Sequence, residues 1–433
     1  MNQQVTPTIS LNETISTMGY DDPQNLSVNK ARELINQSIQ PTCTIEHLPI
    51  QQALGRVLAE DIVSGMNVPA HDNSAMDGYA FSGNTLSTVE EVSYRIIGKA
   101  FAGRAYQGTV AAGECVRIMT GAVMPDGCDT VVPLEFISKA SEDSIHVAPG
   151  CIQPGSNRRM AGEDLAIGKI ALRRGKVLRP ADLGLLASLG IATVPVQRRL
   201  RVAFFSTGDE LRSVDQPLDE GCIYDSNRYT LHAMLTRLGC ELIDMGVVKD
   251  DTVTLEASFR QACEHADVVI TTGGVSLGDA DYIRQTMAQL GEVAFWSIAM
   301  RPGRPMAFGK INSNGKGAYL FGLPGNPVAV MVSFYFFVKQ ALLQMQGAEH
   351  APPLMLKASS KHAIKKRAGR TEYQRGIAEI NAAGELEVSI TGSQGSGILR
   401  SMSEANCMIV LDHDQEHVTA GAKVMIVLFE GLI

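Results

Sequence analysis

The spacing of apolar positions changes several times along the chain. After Ser27, the residues Ala31, Leu34, Ile35 and Ile39 recur at helical spacing behind a capping hydroxyl, which predicts a first helix. The spacing of Ile50, Ala53, Leu54, Val57 and Leu58 predicts a second helical segment. From about Asp61 to Gly162 the period shortens. Short β-type runs at 92–97, 115–119, 130–133 and 145–148 alternate with Gly and Pro turns, which predicts a small, mostly β region. The stretch 71–81, HDNSAMDGYAF, is too polar for a core strand. At 178–196 the helical period returns: Pro180 stands near a helix start, Leu183, Leu186 and Leu189 follow, and Gly190 stops it before a strand at Thr193-Val194.

Residues 199–347 alternate strand and helix signals. Strands are expected at 201–205, 242–248, 267–270, 293–300 and 319–321, with helices carrying Leu231, Met234, Leu235 and Leu238, then Leu255, Phe259, Ala262 and Cys263, then Ile283, Met287 and Leu290. Such alternation favours a doubly wound, mostly parallel sheet. The apolar run 328–338 ends at Lys339, short of the ~20 residues a membrane span needs, and is expected to be a core helix. After Pro352-Pro353, residues 354–433 read as short strands separated by turns at 382–384, 392–397 and 412–414, a small barrel or sandwich. The expected fold is multidomain α/β plus β. Its parts are a flexible tail (1–25), a discontinuous helical and extended framework (26–60 and 163–198), an inserted mostly-β domain (61–162), the α/β domain (199–347) and a C-terminal β domain (348–433).

Composition narrows the functional classes. A net charge of −8 argues against a protein that blankets nucleic-acid phosphates, and 45% hydrophobic residues are ordinary for packed cores. The eight cysteines are scattered without a C-x-x-C pair, a pattern of reduced, cytoplasmic proteins rather than a disulfide or zinc framework. The first residues, MNQQVTPTISLNETIS, have neither the basic nor the apolar region of a secretory leader.

Candidate chemistry gathers at three turns that directly follow strands: STGDEL (206–211), TTGGVSLGDADY (271–282) and GLPGNP (322–327). In a parallel sheet these share one edge, where glycine-rich backbone and helix N-termini receive anions. Ser206, Thr207 and Gly208, with Thr272, Gly273, Gly274, Ser276 and Gly278, are the candidates for contacting substrate there. Glu210, Asp250, Asp279 and Asp281 fall around the same crevice. Carboxylates beside an anion site make sense with a hard cation between them, such as Mg²⁺. Pro324, Gly325, Asn326 and Pro327 form a further anion-facing loop, and Arg301 and Arg304 flank a Pro-Gly turn that supplies fixed positive charge. Neither a P-loop nor a G-x-G-x-x-G after a strand is present. His413 and His417 fall in a turn and read as structural; the basic run 362–370 reads as a solvated hairpin; the cysteines read as core.

Together these strings resemble one family, the molybdopterin molybdenumtransferases, MoeA in bacteria and the E domain of gephyrin in animals. The resemblance rests on DNSAMDGYA (72–80), RIMTGA (117–122), RMAGEDL (159–165), STGDEL, YDSNRY (224–229), TTGGVSLGDADY, RPGRPMAFG (301–309), GLPGNPV and GRTEYQRG (369–376). It implies an enzyme of molybdenum cofactor biosynthesis that inserts molybdate into adenylylated molybdopterin and releases AMP, with Mg²⁺ as cofactor. It further implies a C-terminal β-barrel and a homodimer whose site lies between subunits. Molybdopterin adenylyltransferase and molybdoenzyme-maturation proteins are the implied protein partners; no nucleic acid or membrane is. By matched position, the catalytic residues are Asp77, Thr120, Glu210, Asp250 and Asp281, with Glu210, Asp250 and Asp281 as metal ligands, Asp164 at substrate, and Pro324 and Pro327 in the proline loop. The sequence departs from the pattern at Ser297, where a lysine is usual, and at Arg301 and Arg304, which replace the lysines of K-P-G-K-P. Arginine keeps the charge and binds oxyanions bidentately, so those two changes fit. Two rival readings are a molybdopterin adenylyltransferase, which would need only the α/β domain, and a non-catalytic scaffold of the gephyrin type.

Overall fold

The computed structural model describes residues 26–42, 44–275, 286, 287, 289–349 and 352–432. Ser276, Gly278, Asp279, Asp281 and most of the helix expected from Ile283 lie outside the described residues, as does the expected tail. The chain divides into two compact units, Met1–Glu46 with Gly55–Ala59 and Val196–Ile433, and His47–Leu54 with Glu60–Pro195.

The first helix forms as its spacing predicts. α1 (Val28–Ser38) begins at Ser27, whose hydroxyl accepts from the amide of Lys30, and it buries Ala31, Leu34 and Ile35. The second expected helix does not form. Only a single 3₁₀ turn, Ile50–Gln52, follows Pro49, and Gly55 at φ 72° turns the chain away. The five residues between Pro49 and the left-handed Gly55 are too few to offset the cost of helix nucleation.

The unit containing residues 60–195 is built on a six-stranded sheet of β1 (Gly78–Phe81), β2 (Val92–Ala100), β3 (Glu114–Ile118), β4 (Thr130–Pro133), β5 (Ile137–Ala140) and β6 (Ser144–Val147), in the order β4-β1-β3-β2-β6-β5. Here the structure corrects the sequence: all four residues of β1 are buried between β3 and β4, so the polar motif 72–77 leads directly into a core strand. Gly78 is required there, because a Cβ would sit 1.9 Å from the Val132 carbonyl oxygen. Phe81 stacks on Tyr94 at 4.3 Å. α2 (Pro180–Ser188) follows in the same unit, with Pro180 in its first turn.

The other unit carries the α/β sheet of β7 (Arg201–Thr207), β8 (Glu241–Val248), β9 (Val268–Thr272), β10 (Gly291–Ser297), β11 (Pro305–Ser313) and β12 (Lys316–Leu323), in the order β8-β7-β9-β12-β11-β10. The pairs β7–β8, β7–β9 and β9–β12 are parallel; β12–β11 and β11–β10 are antiparallel. β11 is an addition to the expected strands. Its hairpin to β12 turns through Asn314 (φ 48°) and Gly315 (φ 76°), and the Asn-Gly pair in INSNGKG was the readable signal for it.

Helices cover both faces of this sheet. On one, Leu231, Met234 and Leu235 of α3 (Ser226–Arg237) and the helical run Pro327–Met345 join α1 in a single core with Phe204, Ile270 and Phe321. On the other, α4 (Thr252–His265) packs Leu255, Phe259 and Cys263 against Ala203, Phe205 and Val269. The run Pro327–Met345 consists of α5 (Pro327–Ser333), a π-helical stretch Phe334–Val338, and α6 (Lys339–Met345). It is long and apolar enough to cross a membrane by length and composition, but 72% of it is buried inside the fold, so it is a core helix.

The C-terminal part forms a closed five-stranded barrel of β13 (Leu356–Ser360), β14 (Thr371–Ile380), β15 (Leu386–Ile390), β16 (Cys407–Leu411) and β17 (Lys423–Leu428), running β14-β15-β13-β17-β16 and back to β14. The short helix α7 (Arg400–Glu404) precedes β16. The run 362–370 is less solvated than its charge suggests: Lys366 is buried and donates to the carbonyls of Arg367, His413 and Gln415. Cys115, Cys240, Cys263 and Cys407 are buried as expected, while Cys128, Cys151 and Cys222 are only partly so; burial pushes the thiols of Cys115, Cys128, Cys240 and Cys407 up to about 12.

Candidate active site

Three strand ends meet at the carboxyl edge of the parallel part of the sheet. Ser206 pairs in register with Thr272, and Thr272 with Leu323, so the turns after β7, β9 and β12 stand side by side. They are drawn close by glycine: a Cβ on Gly273 (φ 90°) would lie 2.5 Å from the Thr207 carbonyl oxygen, and one on Gly208 (φ 150°) 2.6 Å from the Glu210 carboxylate. The Gly273 amide donates to the Leu323 carbonyl at 3.1 Å.

These turns enclose a cavity of about 590 Å³. Thr207, Gly208, Glu210, Asp250, Thr272, Gly273, Gly274, Gly325, Asn326 and Pro327 line it, so the expected residues from four separate stretches do come together. Asp250 reaches it from the end of β8. Its carboxyl is held above the ordinary carboxylate range by burial, with the negative charges of Asp209 and Glu210 adding to the shift.

Behind the strand ends lies a polar network that sequence reasoning did not single out. The Thr272 hydroxyl donates to the Ser206 hydroxyl at 3.0 Å, and Ser206 donates to Asp225 at 3.0 Å. Asp225 is buried and also caps α3 by accepting from the Arg228 amide. The Asn227 side chain donates to the Gly325 carbonyl at 2.7 Å, tying α3 to the proline loop. Asp-Ser-Asn ahead of an apolar helical pattern was the available clue, an N-cap signature.

On the other side of Gly325-Asn326 lies a second cavity of about 470 Å³. Arg301, Arg304, Pro324, Arg370, Gln394 and Ser396 are among its lining residues, and among the described residues no acidic side chain lines it. Arg304 donates from Nε to the Ser297 hydroxyl at 2.8 Å. Ser297, the position of the missing lysine, thus orients one of the arginines. Arg370 and the 394–396 loop come from the C-terminal barrel and were not anticipated as site residues.

Asp77 and Thr120 belong to the other unit, where they form an exposed pair. One Asp77 oxygen accepts both the Thr120 amide and its hydroxyl at 2.7 Å, which holds the carboxyl below its ordinary range. Nearby, Asp72 pairs with Arg158 and accepts the Ala161 amide at 2.7 Å. Asp164 is exposed, its amide donating to the Val68 carbonyl.

Three family models match the chain in succession: the MoeA N-terminal region, domains I and II, over residues 26–190; a probable molybdopterin binding domain over 203–344; and the MoeA C-terminal region, domain IV, over 357–429. A molybdopterin molybdenumtransferase of Haemophilus influenzae is 42% identical over 410 residues, covering 94% of this chain and all of the relative. The chain belongs to the molybdopterin molybdenumtransferase family. A second molybdopterin molybdenumtransferase, from a Nostoc species, is 35% identical over 94% of this chain and 92% of its own length. The crystal structure of a molybdopterin biosynthesis moeA protein from Pyrococcus horikoshii aligns over 93% of this chain and 99% of its own, with a TM-score of 0.80 at 30% identity. Family membership thus extends through the unit holding Asp77, the sheet-edge cavity and the barrel.

Proposed function

We propose that this transferase of molybdenum cofactor biosynthesis works with its two adjoining cavities in complementary roles. The acid-lined cavity at the sheet edge receives adenylylated molybdopterin, and the arginine-lined cavity beside it receives molybdate. The observation that carries this reading is the shared wall. Gly325 and Asn326 line both cavities, so a phosphorylated ligand on one side and an oxyanion on the other would meet across two residues. Arg301 and Arg304 supply positive charge in a fork geometry suited to an oxyanion, and Arg370 stands beside them, held by its ion pair with Glu372 at 2.8 Å.

The acidic side fits a divalent cation. Among the described residues no group of three His, Cys, Asp or Glu side chains gathers closely enough to hold an ion unaided. Glu210 and Asp250 nevertheless face one cavity, and burial, with the charges of Asp209 and Glu210 adding to it, raises the Asp250 carboxyl, a cost that a bound cation would offset. Mg²⁺ is commonly held by one or two carboxylates together with substrate phosphates and water, which suits this pair, with Asp281 as a further ligand. When bound it would neutralise charge on the pyrophosphate as AMP leaves. The chain's own part is to present Gly208, Gly273 and Gly274 to the phosphates, and to set Asp250 on the same cavity as Glu210, where a shared cation would favour its ionised form.

Thr207 and Thr272, with Ser276 and Gly278, complete the substrate contacts in this reading, with Ser206 holding the Thr272 hydroxyl from behind, and Asp164 is a further substrate contact. Asp77 and Thr120 are supplied by a second copy of the chain, making the active unit a cytoplasmic homodimer. Their mutual hydrogen bonds leave the second Asp77 oxygen for substrate. The inserted mostly-β region, 61–162, then serves to present this pair.

The test is to incubate the protein with adenylylated molybdopterin, Mg²⁺ and increasing molybdate, and to follow AMP. Molybdate-dependent AMP release is expected. Adenylylation of molybdopterin from ATP without that activity would overturn the assignment, and a monomer in sedimentation at micromolar concentration would overturn the two-copy site.

A further inference from the structure

Arg375 is among the largest fully buried side chains of the protein, at 1% exposure, and the functional reading above makes no use of it. It extends from the middle of β14, and among the described residues its guanidinium bonds to neutral groups. Nε donates to the Ser401 hydroxyl at 2.9 Å, one terminal nitrogen to the Gln394 carbonyl at 3.3 Å, and the other to the carbonyls of Ser393 and Gly395 at 3.3 and 2.9 Å. Three successive backbone carbonyls therefore point inward to one cation.

This arrangement has two consequences for the arginine-lined cavity. The first is mechanical. Gln394, Gly395 and Ser396 form part of the cavity wall, and residues 393–395 are fastened from behind by Arg375. The same residue accepts the Gln394 side chain at its carbonyl, while its amide donates to the Gln394 side-chain oxygen at 2.8 Å, so that side chain is fixed as well. The second consequence is electrostatic. Burial, together with the charge of Arg301, pushes the Arg375 guanidinium down to about 10, so the two cations sense each other through the wall. At neutral pH the group remains charged, without a carboxylate among its hydrogen-bond partners to cancel it.

We infer that Arg375 is a positioning residue for the oxyanion site: it holds the 393–396 loop in its binding shape and adds a buried positive charge to the back of the cavity. The inference rests on reading that cavity as the place of molybdate.

The test uses the full-length protein and measures AMP release as molybdate is varied. Arg375→Gln removes the charge and most of the fork, and it should raise the KM for molybdate by roughly tenfold or more while kcat at saturating molybdate changes less than about threefold. Arg375→Lys restores the charge without spanning three carbonyls and a hydroxyl at once, and it should recover part of that loss. If the glutamine variant fails to fold, the lysine variant carries the test alone: a KM raised about three- to tenfold with native circular dichroism supports the role. Wild-type KM in both variants, or lost stability with an unchanged KM in the one that folds, overturns it. Arg304→Ala separates the two layers of the argument. A raised KM there with unaltered Arg375 variants defeats only this inference. An unaltered KM in Arg304→Ala defeats the oxyanion reading and this inference with it.

Discussion

The two cavities on either side of Gly325-Asn326 share a wall and differ in almost everything else. The sheet-edge cavity is assembled mainly from strand ends and glycine turns of one α/β sheet, with Gly397 and Leu399 at its margin, and its charged groups are the acids Glu210, Asp225 and Asp250. The neighbouring cavity is assembled from an arginine-bearing turn, the proline loop and a loop of the C-terminal barrel, and its charged groups are arginines. Acids need a cation before they can face a phosphate, so the first cavity is conditional on ionic composition and pH. Arginines need nothing, so the second is always ready. On the proposed roles, the first cavity would work only with its cation bound, whereas the second carries its positive charge on the chain itself.

The largest expected effect breaks the comparison at its acidic side. Glu210→Gln or Asp250→Asn should lower kcat for AMP release by roughly 10²–10³-fold, with the affinity for tungstate as a molybdate surrogate little changed in calorimetry. A parallel loss of tungstate binding would show that the cavities are not separable. Next, Arg304→Ala should raise the KM for molybdate about tenfold or more, while the Mg²⁺ dependence stays as in the wild type.

A smaller effect concerns pH. The Asp250 carboxyl in the folded protein titrates above its ordinary range, so between that range and its raised value a proton competes with the cation. Apparent Mg²⁺ affinity should fall as pH is lowered through this window, and Asp250→Asn should flatten the dependence; both are measurable from AMP release at several pH values. In the absence of cation the sign for stability is opposite: ionised Asp250 is disfavoured by folding, so its neutralisation at lower pH relieves the native state. The smallest effect lies outside both cavities. Thr120→Ala should return the Asp77 carboxyl toward its ordinary range, seen in a ¹³C-carboxyl NMR titration. The depressed value means that Asp77 favours the folded state above the ordinary carboxylate range and ceases to as pH falls through its folded value. Thr120→Ala should weaken that dependence.

Legibility from sequence also divides along the shared wall. The sheet-edge cavity could be read because each part follows a strand, and parallel strands put their ends on one edge whatever the connection lengths. Glu210 and Asp250 were placed together on that rule alone. The arginine-lined cavity could be read only in half. Arg301, Arg304 and Pro324 announce themselves by local turn chemistry, but Arg370 and Gln394 arrive through the closure of a barrel, which no periodicity encodes. Asp225 and Asn227 were hidden for another reason: a capping residue and a site residue look alike until the neighbouring strand end is seen. The missing strand β11 and the unformed helix at 50–58 are failures of period against punctuation. Asn314-Gly315 and Gly55 held more information than the apolar spacing around them.

One hydrogen bond has a bearing on modularity. The Val328 amide, in the first turn of α5, donates at 3.1 Å to the carbonyl of Ser396, in the barrel loop that Arg375 fastens. The most buried helix of the α/β sheet thus takes one of its start-of-helix acceptors from a segment some seventy residues downstream. A chain cut near Pro352 would expose that amide and remove the wall carrying Gln394 and Ser396 in the same stroke. The barrel is therefore no detachable appendage. An isolated α/β domain would lose Gly397 and Leu399 from the sheet-edge cavity, and Arg370 with residues 394–396 from its neighbour.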